Sequence, residues 1–306
     1  MRSACGTGED QVREEKMSIL INKNTRVLVQ GITGRIGSTQ TRWMLDYGTN
    51  IVAGVTPGKG GQTVESVSVF DSVAEAVRET GAEASVFFVP SAFVTDAFFE
   101  TVDAGIGLIV VVPEHIPVHD VMKMRAHAAV NGITALGPTT PGIITPGQAK
   151  MGIMPAAMFR EGRVGIISRS GTLAYEMAGI LTEAGIGQSS VVGIGADPVV
   201  FTNMADVLAM FENDDGTDGI VIVGEVGTMQ EEKAAEYIAE HARKPVASYI
   251  AGKFSPEGKR MGHAGAIVRG DTGTVENKLS ALSTAGAEIL GTPIDVVDWA
   301  KRNNLS

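Results

Sequence analysis

The sequence predicts an α/β protein built from two doubly wound domains in tandem. Short β-rich apolar runs alternate with helical patterns, and this alternation occurs twice. A turn-dense stretch separates the two series: Gly137-Pro138-Thr139-Thr140-Pro141-Gly142, then Pro146-Gly147 and Pro155. The chain has 306 residues, 44% of them hydrophobic, enough for two buried cores. Near-continuous apolar strands between helices imply parallel sheets covered on both faces.

Residues 1–16 are polar and lack an apolar period, and residues 1–17 are expected to form a disordered tail. In the first series, Arg26–Gln30 is a β-rich run ending in a glycine turn. It is followed by strand patterns at Asn50–Val55, Ser85–Val89, Leu108–Val112 and Ile133–Leu136. Helical patterns at Ser72–Thr80, Ala92–Asp103 and Val118–Val130 lie between them. Beyond the turns, strands are expected at Val164–Ser168, Ser190–Ile194, Ile220–Val223, Val246–Ile250 and Glu288–Leu290. Helices are expected at Thr172–Ala184, Met204–Glu212, Gln230–Arg243 and Val275–Ala285. The boundary is placed between residues 146 and 147, giving domains of 18–146 and 147–306.

Composition excludes several function classes. A net charge of −10 argues against broad nucleic-acid binding, which asks for a basic face. No apolar run approaches bilayer-spanning length, and no signal-peptide pattern opens the chain. The single cysteine, Cys5, rules out an internal disulfide framework and a cysteine-based zinc cluster. A reducing, cytoplasmic setting is the expectation, with neither membrane nor nucleic acid as partner and no metal site.

Five segments carry chemistry. The first strand runs into Gly31-Ile32-Thr33-Gly34-Arg35-Ile36-Gly37-Ser38, where glycines let backbone approach a phosphate at a helix start. A dinucleotide site would want a carboxylate after the second strand. Here that strand leads into Thr56-Pro57-Gly58-Lys59-Gly60-Gly61, whose lysine suits phosphate better than ribose. This disfavours an NAD-dependent oxidoreductase and favours a phosphorylated cofactor such as coenzyme A, although a flexible surface turn has the same composition. In the second series, Ser168-Arg169-Ser170-Gly171-Thr172 sits at a strand-to-helix turn, suited either to capping the helix or to receiving a phosphate. Glu225 follows another strand, on the rim where α/β sites form. Finally, Gly262-His263-Ala264-Gly265 presents a histidine with small neighbours. Imidazole can act as nucleophile near neutral pH, and a carboxylate such as Glu225 could fix its tautomer.

Across nearly all of residues 17–301, the chain resembles the α subunits of succinate–CoA ligases. The likeness is carried by Gly54 to Gly61, Pro141 to Gly147, Ser168 to Leu173 and Gly258 to Ile267, collinear and in order. The resemblance implies a Rossmann-like CoA-binding domain followed by a flavodoxin-like ligase domain. It implies that His263 carries a phosphoryl group, oriented by Glu225, with Ser170 and Gly171 holding the phosphate and Tyr175 near the carboxylate substrate. Coenzyme A would contact Thr33, Gly34, Arg35, Ile36 and Lys59, with Val112, Pro113 and Glu114 at a later strand end. The implied sequence of events is an acyl phosphate made from ATP or GTP on a partner subunit, capture of its phosphoryl group by His263 as coenzyme A attacks, and recycling of the phosphohistidine with nucleotide. Nucleotide and Mg2+ would sit on a β subunit, in an αβ or α2β2 assembly.

The chain departs from the family pattern in several places. Thr139-Thr140 replaces the usual Asn-Cys, Gln148 stands where Glu is frequent, and Thr228 replaces a glycine. The segment Gly195-Ala196-Asp197-Pro198-Val199-Val200-Phe201 is bulkier than usual. The changes at Thr139 and Phe201 leave room for another small dicarboxylate, such as malate or itaconate, in place of succinate. A non-catalytic CoA-binding regulatory subunit is the other alternative, and the intact His263 and Glu225 argue against it.

Overall fold

Each domain is a seven-stranded sheet, in a computed structural model that describes residues 18–305 apart from 257, 269 and 271. The tail expected at residues 1–17 lies outside the described residues. In the first domain, β1 (Val27–Gln30) leads to α1 (Arg35–Tyr47) and β2 (Ile51–Val55). A hairpin of β3 (Thr63–Val64) and β4 (Val67–Phe70) follows, then α2 (Val73–Thr80) and β5 (Ala84–Phe87). The domain closes with α3 (Val94–Asp103), β6 (Leu108–Val111), α4 (Val118–Val130) and β7 (Thr134–Leu136). The strand order is β3-β4-β2-β1-β5-β6-β7, parallel except for the β3–β4 hairpin. The order reverses around β1, and such a switch point opens a ligand crevice at the strand C-termini.

The second domain holds β8 (Gly142–Thr145), β9 (Ala149–Gly152), β10 (Glu161–Ser168), α5 (Gly171–Glu183) and β11 (Gln188–Gly193). It continues with α6 (Met204–Glu212), β12 (Gly219–Glu225), α7 (Gln230–His241) and β13 (Val246–Ala251). It ends with α8 (Val275–Thr284), β14 (Glu288–Ile289) and α9 (Asp295–Arg302). The order is β14-β13-β12-β10-β11-β8-β9, with a parallel centre and an antiparallel β8–β9 edge. Strands β10 to β13 are buried along most of their length, as expected for parallel strands covered on both faces.

The β8–β9 hairpin changes the domain division. Both of its strands belong to the second sheet, so a boundary between residues 146 and 147 would cut through its turn. The prolines and glycines before it are where the chain crosses between sheets, and sheet membership puts the division before Gly142.

Several contacts seat one domain on the other. Thr49 Oγ1 donates to Lys150 O at 2.9 Å and accepts from Lys150 N at 3.0 Å, while Thr145 Oγ1 donates to Ile21 O at 2.9 Å. The loop after β11 also reaches into the first domain. Phe201 is buried in that domain's core, stacked on Phe98 with ring centroids 5.0 Å apart. Its amide donates to Gly137 O at 2.9 Å and Thr202 Oγ1 donates to Ala135 O at 2.6 Å. The bulk noted at Phe201 in the sequence is therefore a packing feature between domains and does not widen a substrate site.

Candidate active site

Parallel pairing brings the C-terminal ends of β10, β12 and β13 side by side, with Ser168 opposite Val223 and Glu225 opposite Ala251. Glu225 thus closes its strand on the crevice rim. The loop after β13 returns over it, and His263 Nδ1 donates to Glu225 Oε2 at 2.7 Å. That bond commits Nδ1 and leaves Nε2 as the nitrogen with a lone pair for chemistry. The His263 side chain remains 34% exposed, so Nε2 is reachable. The hydrogen bond from Glu225 raises the His263 pKa above its ordinary value, against burial and the nearby Arg169 charge, which lower it.

Beneath Glu225 lies a buried chain of alternating charges. Arg169, 1% exposed, lies 3.4 Å from Glu225 Oε1 through Nη2. Its Nη1 donates to the carbonyls of Glu225 at 2.9 Å and Gly227 at 3.0 Å, and to Glu231 Oε1 at 3.2 Å. Glu231 also accepts from the Glu225 amide and pairs with Lys278, which reaches Glu232 Oε2 at 2.8 Å. Burial would push the Glu231 carboxyl up, yet Arg169 and Lys278 outweigh it and hold the pKa below the usual value. An ion pair this deep contributes little net stability, but losing one member leaves a buried charge unpaired. The chain fixes the backbone carrying Glu225 and hence the direction of its carboxylate. Gly227 adds a second constraint. At φ +79°, a Cβ there would fall 2.0 Å from Gly265 O, so the strand end and the histidine loop touch backbone to backbone.

His263 opens into a cavity of about 390 Å3 between the domains. Glu114 and His115 line one wall, from the loop after β6, with Thr139 and Asp197 on another and Arg260 beside the histidine. Glu114 of the first domain and His263 of the second therefore line one cavity, a juxtaposition the sequence reading did not anticipate. Ser170, Gly171 and Tyr175 line no part of this cavity. Ser170 Oγ accepts from Leu173 N at 3.4 Å, capping α5. A Cβ on Gly171 would meet Tyr175 Oη at 3.4 Å and the Pro141 ring, so these three residues gather at the start of α5. Burial raises the Tyr175 hydroxyl pKa to about 12, keeping it protonated and a donor.

The first-domain set is assembled by neighbouring strands. Parallel β1 and β2 put the glycine loop beside the lysine loop, and Thr33 Oγ1 donates to Thr56 Oγ1 at 3.2 Å across them. The α1 N-cap, Gly34, provides no side-chain cap, leaving first-turn N–H groups open to an anion. Gly37 must be glycine because a Cβ would lie 2.1 Å from Gly31 O. Gly34, Arg35, Ile36 and Lys59 are exposed, while Thr33, Val112 and Pro113 are half-buried. Sequence reasoning assigned no role to Arg169 or Lys278. Their burial depends on pairing between distant segments that no local pattern encodes.

A CoA-type phosphate crevice on one sheet and a carboxylate-held histidine on the next define a class, the acid–CoA ligases. The CoA binding domain family matches residues 22–115 and the CoA-ligase family matches residues 167–288. A succinate–CoA ligase (ADP-forming) subunit alpha from Methanothermobacter thermautotrophicus is 55% identical over 280 residues, covering 92% of this chain and 95% of that protein. The namesake from Aquifex aeolicus is 52% identical over 282 residues, 92% of each chain. The chain belongs to the succinate–CoA ligase α-subunit family. In fold it is similar to an ATP citrate lyase mutant from Methanosaeta concilii solved with (3S)-citryl-CoA, with a TM-score of 0.86 and 23% identity. That match covers 93% of this chain but only 50% of the longer lyase chain. Among the described residues, no helix is long and apolar enough to cross a membrane.

Proposed function

We propose that this chain is the α subunit of an ADP-forming succinate–CoA ligase, in which His263 Nε2 carries the phosphoryl group. The observation that carries the reading is the 2.7 Å bond from His263 Nδ1 to Glu225, which leaves the opposite nitrogen free on an interdomain cavity. Coenzyme A would lie on the first domain, its phosphates at Thr33, Gly34, Arg35, Ile36 and Lys59. Its thiol end would pass Val112, Pro113 and Glu114 into the cavity. ATP with Mg2+ would bind a β subunit, as the relatives' designation as α subunits supports. Ser170 and Gly171 would receive the phosphate and Tyr175 the substrate carboxylate when the histidine loop moves towards α5.

Atom balance orders the steps differently from the sequence implied by the resemblance. Because the net reaction releases free phosphate, the thiol must displace phosphate from the acyl phosphate. His263 must therefore be phosphorylated by the nucleotide first. Its phosphoryl group then passes to the succinate oxygen, and the thiol attacks last. Phosphohistidine carries roughly two negative charges by analogy with other phosphorylated side chains. A helix N-terminus such as that of α5 offsets part of this charge, by about 0.3–2 kcal/mol.

The test is labelling with γ-phosphate-labelled ATP in the assembled ligase. We expect one acid-labile phosphohistidine in the wild type and none in His263→Asn. Label retained by His263→Asn would remove the assignment.

A further inference from the structure

The cavity at His263 contains a second carboxylate, Asp197, to which the proposed reaction has so far given no role. We propose that Asp197 is a catalytic residue of the same site, the base that takes the proton of the coenzyme A thiol as its sulfur attacks the acyl phosphate. This assignment rests on the ligase reading above.

Asp197 is placed for that role by three loops. Thr139 Oγ1 donates to Asp197 Oδ1 at 2.9 Å, fixing the carboxylate from the side of the domain crossover. The preceding residue, Ala196, accepts from Gly265 N at 2.9 Å and donates to Thr139 O at 3.3 Å. The Asp197 loop is thereby laced to the histidine loop on one side and to the crossover on the other. Asp197 is 7% exposed and lines the same cavity as Glu114 and His263. Among the described residues, Oδ2 accepts no hydrogen bond, so one carboxylate oxygen is unclaimed in a cavity wall.

The chemistry favours such a group. A free thiol has a pKa of about 8.5 and is mostly protonated at neutral pH, while the thiolate is the nucleophile. Burial holds the Asp197 carboxyl above the ordinary aspartate value, and nearby Glu114 pushes the same way, which narrows the gap to the thiol. The Thr139 hydrogen bond, His115 and His263 oppose this shift, and Arg260 is the other charged group on the cavity wall. The alternative bases are less suited. Glu225 is already engaged by His263 and Arg169, and Glu114 is exposed beside His115. In the step itself, the S–H proton passes to Asp197 Oδ2 as the S–C bond forms. The tetrahedral adduct then collapses with cleavage of the C–O bond to phosphate. Phosphate leaves with the bonding pair and recovers the proton from Asp197.

The test uses the assembled ligase and separates two half-reactions. Exchange of labelled ADP into ATP reports phosphorylation of His263 without coenzyme A. Thioester formation from synthetic succinyl phosphate and coenzyme A reports the final step. For Asp197→Asn we expect exchange to stay within about twofold and thioester formation to fall roughly 10²–10⁴-fold, the usual range for a positioned base. The wild-type acid limb of thioester formation, distinct from the His263 limb of exchange, should vanish in this variant, and Asp197→Glu should restore part of the rate. Thioester formation within about threefold of wild type, or parallel loss of both half-reactions, overturns the assignment. Should Asp197→Asn fail to assemble, the wild-type profiles decide, because an acid limb shared by both half-reactions or absent from thioester formation also overturns it. Absence of exchange in the wild type removes the ligase reading, and this assignment with it. Intact exchange with unaffected thioester formation removes this assignment alone.

Discussion

At the scale of single residues, the His263–Glu225 pair sets a pH dependence whose sign follows from geometry. The nucleophile is the neutral imidazole, so phosphorylation falls as pH drops through the His263 pKa, which Glu225 raises above the ordinary value. Glu225→Gln keeps the shape and removes the charge. The acid limb of ADP–ATP exchange should then move to lower pH. The plateau rate should fall roughly 10- to 150-fold, from a charge-assisted hydrogen bond of about 1.5–3 kcal/mol at 1.36 kcal/mol per decade. The stability linkage runs the same way. A raised histidine pKa contributes stability that is complete below the unfolded value of about 6.5 and is lost as pH rises through the folded value. Glu225→Gln should therefore cost most at acid pH in denaturant titrations, and an acid limb that stays in place would contradict the pairing. Glu225 was legible in the sequence as a carboxylate closing an apolar run and His263 as a histidine with small neighbours, whereas Glu114 was named only through the family resemblance. Asp197 was visible only as part of a departure from the family pattern. Its partner Thr139 lies 58 positions away, and that hydrogen bond depends on how two loops cross.

At the scale of elements, most of the buried strands and helices were readable, as were the edge strands β7 and β14, whereas β3, β4, β8, β9 and the last helix, α9, were not. β3 spans two residues, one exposed and one half-buried, and β8 lies among the prolines and glycines that signal turns. β9, Ala149–Gly152, is buried although it contains Lys150, whose Nζ donates to Met154 O at 2.9 Å. A buried lysine within a strand breaks the alternation on which sequence reading depends. The loop after β11 shows the same limit from the other side, since the bulk of Phe201 was visible and its destination was not. Because Phe201 stacks on Phe98 in the first domain's core, Phe201→Ala should cost about 3–5 kcal/mol. The lost energy couples the two domains as well as stabilising one. Calorimetry of the variant should show the first domain melting ahead of the second, and a single transition at the wild-type temperature would exclude a coupling role. Thioester formation should fall too, because the same loop carries Asp197.

At the scale of the whole molecule, the two sheets divide the labour, and the division can be tested without the partner. The coenzyme A contacts proposed here all lie on the first domain, and they need only the adjacent β1 and β2 loops and the end of β6, which this chain forms by itself. Phosphorylation of His263 needs a nucleotide, which the proposal places on the β subunit. The isolated chain should therefore bind coenzyme A yet exchange no phosphate between ADP and ATP. Binding to the folded state alone stabilises by about 2.7 kcal/mol at a hundredfold excess over Kd, so coenzyme A should raise the melting temperature of the isolated chain measurably. Lys59→Ala should reduce that rise, because a phosphate would lose its lysine partner, and should leave the unliganded melting temperature nearly unchanged, since Lys59 is an exposed loop residue. Adding the β subunit should switch on exchange in wild type and in Lys59→Ala alike, since exchange does not require coenzyme A. Exchange by the isolated chain would place the nucleotide site here instead. Loss of exchange in assembled Lys59→Ala would mean that the crevice of the first domain communicates with His263 before coenzyme A arrives.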